Sequence, residues 1–193
     1  MGGFLETLYD VLFHPAAALQ NIAMEKKVGQ SLGAFLISIF VPAWALYFGL
    51  QNADFPTISV IVIFIQVVGS TIFWFVGAGF FGLLAELFGG QGTAIGLLAG
   101  MGFANFPRVF VVPLIVLSTL LPGSLQSLFL VLFGSILVFW IITLHVIAIR
   151  EAYVLSTLKA VAVVITPVAV MVVCGIIVAV SLGTMLLQWM PRL

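Results

Sequence analysis

Charged residues are scarce in this chain, and their scarcity limits what the protein can be. Only 6% of its 193 residues are Asp, Glu, Lys or Arg, whereas 64% are apolar; an average soluble domain is about 25% charged. This number of charges is too small to cover a water-exposed surface. We therefore predict an integral membrane protein with no soluble domain attached. The six acidic residues balance the six basic ones, and no excess of positive charge indicates a nucleic-acid partner.

The residue types that build chemical sites are equally few. The single cysteine, Cys174, has no partner for a disulfide within the chain, and His14 and His145 lack the spacing of a zinc site. Neither a GxSxG nucleophile elbow nor a GxxxxGK phosphate loop occurs. The only aspartates, Asp10 and Asp54, fall outside the predicted spans, which argues against an intramembrane aspartyl dyad. We therefore expect no enzymatic activity, no cofactor and no metal.

The long intervals between charges predict the organisation of the chain. Each is longer than the about 20 residues that a helix needs to cross a bilayer. Pro122 and Gly123 divide the longest interval into a helical hairpin. Residues 1–193 are therefore predicted to form a single membrane domain of the all-α class with five transmembrane helices. The predicted spans are residues 29–50, 57–84, 106–120, 125–147 and 160–188.

Two segments outside these spans are predicted to form short helices at the membrane surface. Residues 1–28 are a cytoplasmic or interfacial segment, because Phe4, Leu8 and Val11 share one face of a helix. Residues 89–105 are rich in glycine, and about 15 residues of helix reach only about 22 Å, less than the ~30 Å hydrocarbon core. This segment, between spans two and three, is therefore expected to lie at the interface or to re-enter the membrane.

The distribution of basic residues predicts the orientation. Five of them fall on the N-terminal side of a five-span topology, namely Lys26, Lys27, Arg108, Arg150 and Lys159. Only Arg192 falls on the opposite side. Because Lys and Arg are enriched in cytoplasmic loops, we expect the N-terminus in the cytoplasm and the C-terminus outside.

Polar residues at the predicted cytoplasmic ends of the spans form one candidate site. This polar cluster consists of Glu86, Asn105, Arg108, His145, Arg150, Glu151 and Lys159. Ionisable groups in or near a bilayer are costly unless they are paired. Two interpretations stay open. One is ion pairs that tie interfacial loops together, Glu86 with Arg108 and Glu151 with a neighbouring base; the other is a proton relay through His145.

Three glycines form a candidate helix-packing face. Gly92, Gly96 and Gly100 lie at positions i, i+4 and i+8, so they share one smooth side of a helix that allows close approach of another backbone. This face packs either inside the chain or against a partner span or a second copy. Both interpretations stay open.

Three sequence blocks resemble the Yip domain, the Ypt-interacting family of five-span membrane proteins. They are VLFHP at 11–15, ELFGGQG at 86–92 leading to GFANFP at 102–107, and IREAY at 149–153 followed by LSTLKA at 155–160. The resemblance implies a five-span fold and, for eukaryotic members, a role in vesicle traffic with Rab-type GTPases. Those members have a longer N-terminal region than the short segment before the first span here. The chain thus looks like a prokaryotic member, in a cell membrane, and the resemblance does not carry GTPase binding over to it.

The expected function is a scaffold, a partner-recruiting protein or a membrane-organising factor. Its expected partners are membrane lipids together with another membrane protein or a second copy of the chain. The alternative is a permease or channel for a small molecule or a lipid. A hydrophilic solute is disfavoured, because the middle thirds of the spans carry almost no polar groups beyond Gln66, Ser70, Thr71, Ser118 and Ser135. A sealed core would favour a scaffold, and a continuous cavity would favour transport.

Overall fold

Helices are the only regular elements in the computed structural model, which describes residues 3–51 and 56–189. They are α1 (Phe4–Phe13), α2 (Pro15–Glu25), α3 (Val28–Gln51), α4 (Pro56–Leu87), α5 (Ala94–Ala104), a 3-10 turn (Phe106–Phe110), α6 (Val111–Ser118), α7 (Gly123–Tyr153) and α8 (Thr157–Trp189). The predicted all-α class is therefore confirmed. The predicted location of Asp54 between spans and that of Arg192 after the last span lie outside the described residues.

Five segments of this part are long and apolar enough to cross a membrane. They are Val28–Tyr47, Val60–Leu87, Ala94–Ser118, Gly123–Tyr153 and Thr157–Leu182. The chain is thus an integral membrane protein with five transmembrane helices, as its composition predicts.

The third span differs in extent from the predicted residues 106–120. α5 ends at Ala104, and a 3-10 turn that contains Pro107 leads directly into α6. α6 has eight residues and is about 12 Å long, too short to cross a core of ~30 Å by itself. The glycine-rich helix predicted over 89–105 is present as α5, but it forms the first part of the third span. Pro107 marks the change from α5 to the 3-10 turn and not the start of the span, because proline is tolerated in the first turn of a new helical segment.

Charged side chains gather at one end of the bundle, called the charged end below. It comprises Lys27 before α3, Glu86 at the end of α4, Arg150 and Glu151 at the end of α7, and Lys159 at the start of α8. Two hydrogen bonds connect its turns: Gln91 N–H donates to Tyr153 O at 2.9 Å, and Lys159 Nζ donates to Phe88 O at 2.9 Å. The α4–α5 turn is therefore bound to the α7–α8 turn.

The largest buried side chains lie in the half of the bundle next to the charged end. Trp74 stacks on Phe35 with ring centroids 4.3 Å apart, and its Nε1 donates to Leu98 O at 3.0 Å. In the opposite half, α8 has no buried side chain from Ile165 onward among the described residues. Lipid is as apolar as these side chains, so their exposure does not by itself indicate a protein partner.

α1 and α2 are packed into the buried half of the bundle. Val11, Leu19 and Ile22 are 0% exposed. They belong to one apolar cluster with Phe103 of α5 and Ala148 of α7. The N-terminal helices are therefore fixed to the third and fourth spans instead of being attached only through α3.

The outer surface of α1 has two chemically different faces. Leu5, Tyr9 and Phe13 form an apolar stripe at i, i+4 and i+8, with exposures of 78%, 56% and 63%. Beside it, Glu6 and Asp10 line a polar cleft of about 210 Å³. A helix that contacts protein on one face, lipid chains on a second and water on a third is typical of a membrane surface.

Candidate functional site around Arg108

The predicted polar cluster separates into two groups in the structure. Four members lie at the charged end: Glu86, Arg150, Glu151 and Lys159. The other three, Asn105, Arg108 and His145, lie deeper in the bundle and line one cavity. The prediction of a single group assumes that the third span begins near residue 106, which would place Arg108 next to Glu86. Because the span begins at Ala94, Arg108 lies about 20 Å further along the chain path than that prediction implies.

Arg150 provides the ionic link at the charged end. Its Nε and Nη2 donate to Glu151 Oε1 at 2.8 and 2.5 Å. Its Nη1 donates to Thr157 Oγ1 at 3.2 Å, which joins the end of α7 to the start of α8. Glu86 is exposed, and the ion pair predicted between Glu86 and Arg108 is not among the ion pairs of the described residues. The interpretation as structural ion pairs therefore applies to Glu151 and not to Glu86.

Of the predicted packing face, Gly96 and Gly100 lie on α5, but Gly92 lies in the turn before the helix, so the three glycines do not share one helix face. All three approach the protein's own chain. A Cβ atom added at Gly92 would lie 2.9 Å from Tyr153 Cα, and one added at Gly96 would lie 2.9 Å from Ala23 O. At Gly100 it would lie 3.3 Å from Ala148 Cβ. Gly96 and Gly100 are buried and pack inside the chain, whereas Gly92 is exposed.

Arg108 lies deep in the bundle, in the 3-10 turn between α5 and α6. It lines two adjoining cavities of about 560 and 440 Å³, both of which it shares with Ile141 and Ile142. Ile141 lies 12 residues before Tyr153, the last residue of α7, and this distance is about 18 Å along the helix. Because α7 has 31 residues and is about 46 Å long, Arg108 lies beside its middle part and well away from the charged end.

The polar neighbours of Arg108 are neutral side chains, and two of them donate hydrogen bonds to carbonyl oxygens of their own helices. Asn105 Nδ2 donates to Met101 O at 2.7 Å, and Ser38 Oγ donates to Phe35 O at 2.7 Å. Gln66 and Ser70 complete the neutral polar lining. None of these side chains carries the negative charge that would balance a guanidinium.

His145 is held by a short contact to its own helix. Its Nδ1 lies 2.8 Å from Ile141 O, and because a carbonyl oxygen can only accept, Nδ1 carries the proton. Only Nε2 is left for another group. The proton relay predicted for His145 would need a second group that exchanges protons, and Arg108, which lines the same cavity, stays protonated.

No carboxylate neutralises Arg108 within the part of the chain that the structure describes. The ion pairs there are Lys27 with Glu25 and Arg150 with Glu151, both at the charged end. Apolar side chains form most of the cavity walls. Ile115, Val138 and Ile142 are 50%, 56% and 46% exposed, so the cavities open toward the side of the bundle that faces lipid. This arrangement can hold an anion in apolar surroundings.

Sequence reasoning identified Arg108 but grouped it with Glu86 at the span ends, whereas the structure places it in the cavity with Asn105 and His145; it also missed Ser38. One signal in the sequence could have corrected this grouping. Arg108 is the only charged residue between Glu86 and Arg150. A lone charge between two long apolar stretches is expected inside a membrane bundle as readily as at its surface.

The comparisons with known proteins give one match. A family model described as the Yip1 domain matches residues 9–190, which include the helices from α2 to α8 and all the residues of the two cavities. No curated protein and no solved structure matches the chain.

Proposed function

Because the chain belongs to the Yip1 domain family of membrane proteins, we propose that it is a non-enzymatic, membrane-organising protein. It acts through contacts with lipids and with other membrane proteins and not through catalysis. The observation that carries this proposal is the rigid attachment of α1 and α2 to one half of the bundle through Val11, Leu19 and Ile22, each 0% exposed.

The attachment makes the two halves of the molecule unequal. Next to the charged end, α1 and α2 are added to the five spans and pack against α5 and α7. In the opposite half, α8 beyond Ile165 has no buried side chain among the described residues. The protein therefore displaces more lipid from the leaflet at the charged end. We expect it to prefer membranes in which that leaflet is the convex one, because amphipathic surface helices respond to curvature.

The exposed stripe of α1 offers a test of this function. Changing Leu5, Tyr9 and Phe13 to serine removes the apolar chains that enter the leaflet, and the buried side of α1 is left intact. Full-length protein is reconstituted into giant vesicles from which narrow tubes are pulled. We expect the unchanged protein to be several-fold enriched on the tubes and the triple variant to be evenly distributed. An impermeant thiol-reactive dye is added outside the vesicles to protein that carries Gln20→Cys. The dye marks only the molecules whose charged end faces outward.

A matched control changes the polar face of α1 instead, through Glu6→Gln and Asp10→Asn. These two side chains line the polar cleft and not the apolar stripe, so curvature preference should persist. Equal distribution of the unchanged protein between tube and vesicle would contradict the proposed function. Thermal unfolding in detergent establishes that each variant is folded.

We further propose that the charged end faces the cytoplasm. With Arg108 inside the bundle, the basic residues at this end are Lys26, Lys27, Arg150 and Lys159. Their number still favours a cytoplasmic location.

Single cysteines in a Cys174→Ser background test this orientation. Gln20→Cys and Ser156→Cys replace exposed residues at the charged end, and Ser124→Cys replaces an exposed residue at the opposite end. In intact cells, an impermeant thiol reagent should label position 124 and leave positions 20 and 156 unlabelled until the membrane is opened. Labelling of position 156 together with protection of position 124 would reverse the orientation.

A further inference from the structure

We propose that the two cavities at Arg108 form a binding site for a singly charged anionic amphiphile, whose simplest form is a long-chain fatty acid with its carboxylate on the guanidinium. This inference is independent of the membrane-organising role, because it concerns the groove between the spans and not α1 and α2.

The first argument is the missing negative charge. Arg108 is the only charged residue between Glu86 and Arg150 in the sequence, and the carboxylates in the described ion pairs lie at the charged end. Ionisable groups within membrane-spanning segments are rare, and they pair with one another or mark a path or site for a substrate. Within the described residues no such partner is present, and an anion brought by a ligand would supply it.

The second argument is the chemistry of the immediate neighbours. Asn105, Ser38 and His145 each direct a hydrogen-bond donor to a carbonyl of their own helix, so they do not compete with Arg108 for the ligand. A guanidinium binds a carboxylate through two parallel N–H···O bonds. One guanidinium among neutral groups balances one negative charge. A doubly charged head would leave the second charge unbalanced in the core.

The third argument is the shape of the groove and its direction of access. Ile39, Leu114 and Leu137 line the larger cavity, and the exposed Ile115, Val138 and Ile142 stand where it opens toward lipid. A ligand can therefore enter sideways from the bilayer with its chain in contact with apolar walls. A free ion entering that way would first have to cross hydrocarbon without its hydration shell.

The fourth argument is volume. The larger cavity holds about 560 Å³, within the range of about 300 to 1,000 Å³ that is typical of small-molecule sites. A chain of about 16 carbons, each taking about the 30 Å³ of one water molecule, needs about 480 Å³. The cavity therefore fits one acyl chain.

A photoreactive palmitate that carries a diazirine on its chain tests the proposal. Full-length protein in nanodiscs of neutral lipid is irradiated with this probe, and the labelled peptides are identified by mass spectrometry. We expect labelling of the groove face of α7 around Ile141 and Ile142. Excess palmitate should remove this labelling. Excess methyl palmitate, which has the same chain and no charge, should not.

Two variants test the charge and the cavity separately. Arg108→Gln removes the charge and should lower labelling about tenfold, a loss of about 1.4 kcal/mol in binding. Gly134→Leu keeps Arg108 but fills the larger cavity, since nothing lies within 4 Å of a Cβ added at Gly134. It should also lower labelling. Gly175→Leu, on the lipid-facing part of α8, should leave labelling unchanged.

Several outcomes would overturn the proposal. If Arg108→Gln folds and labels as well as the unchanged protein, or if methyl palmitate competes as well as palmitate, the charge has no role. Competition by inorganic phosphate or chloride would assign the site to a free ion. If Arg108→Gln fails to fold, full labelling of Gly134→Leu still rejects the cavity as the binding site.

Discussion

Replacing Gly96 by leucine should lower the free energy of unfolding by about 3 kcal/mol, at the upper end of the range for overpacked cores. Even the Cβ atom of the new side chain would lie 2.9 Å from Ala23 O and 3.2 Å from Thr93 Oγ1. The carbonyl of Ala23 cannot move without shifting α2, which is held by Leu19 and Ile22, both 0% exposed. Thermal unfolding in detergent should show a decrease in Tm of about 6–12 °C.

Gly175→Leu is the matched control for this change. Both glycines lie inside helices, so leucine improves helix propensity equally at the two positions. Nothing lies within 4 Å of a Cβ added at Gly175, and this part of α8 faces lipid. We expect a Tm close to that of the unchanged protein. An equal decrease in both variants would show that the effect at Gly96 is not caused by close packing of α2 on α5.

Truncating Tyr153 to alanine should cost about 3–5 kcal/mol, as for other large aromatic side chains in cores. Tyr153 is 0% exposed at the end of α7 and packs with Leu97, Leu155 and Ala160. It is also the residue whose Cβ approaches Gly90 and whose Cα approaches Gly92, so its ring and backbone determine how the α4–α5 turn lies on α7. The loss is measured as a lower midpoint of unfolding in detergent.

Tyr153→Phe separates the ring from the hydroxyl group. The Tyr153 hydroxyl is buried, and it has no hydrogen-bond partner in the part of the chain that the structure describes. Because an unsatisfied buried hydroxyl is unfavourable by about 1–3 kcal/mol, phenylalanine should be as stable as tyrosine or more stable. If phenylalanine is as destabilising as alanine, the hydroxyl and not the ring provides the stability.

The turns of the chain show how far local sequence signals reach. Pro122 and Gly123 predict a hairpin turn, and α7 begins at Gly123. Pro15 predicts that the N-terminal segment consists of two short helices, and α1 ends at Phe13. Pro107 was equally visible, but it lies within the third span, because the same residue type can either end a helix or begin a new turn. Which of the two occurs depends on what the following residues pack against.

Composition and the spacing of charges by themselves determined that this protein lies in a lipid bilayer and that it has five spans. The favourable free energy of moving apolar side chains out of water adds up along the chain. Long uncharged intervals therefore specify membrane helices, whichever helices they pack against. Only the tertiary structure decided that Arg108 lies away from Glu86, that the face at Gly96 is covered by α2, and that α1 is fixed by Val11. These features depend on which helices become adjacent. In lipid that choice follows from close packing between particular surfaces, which hydrophobicity alone does not encode.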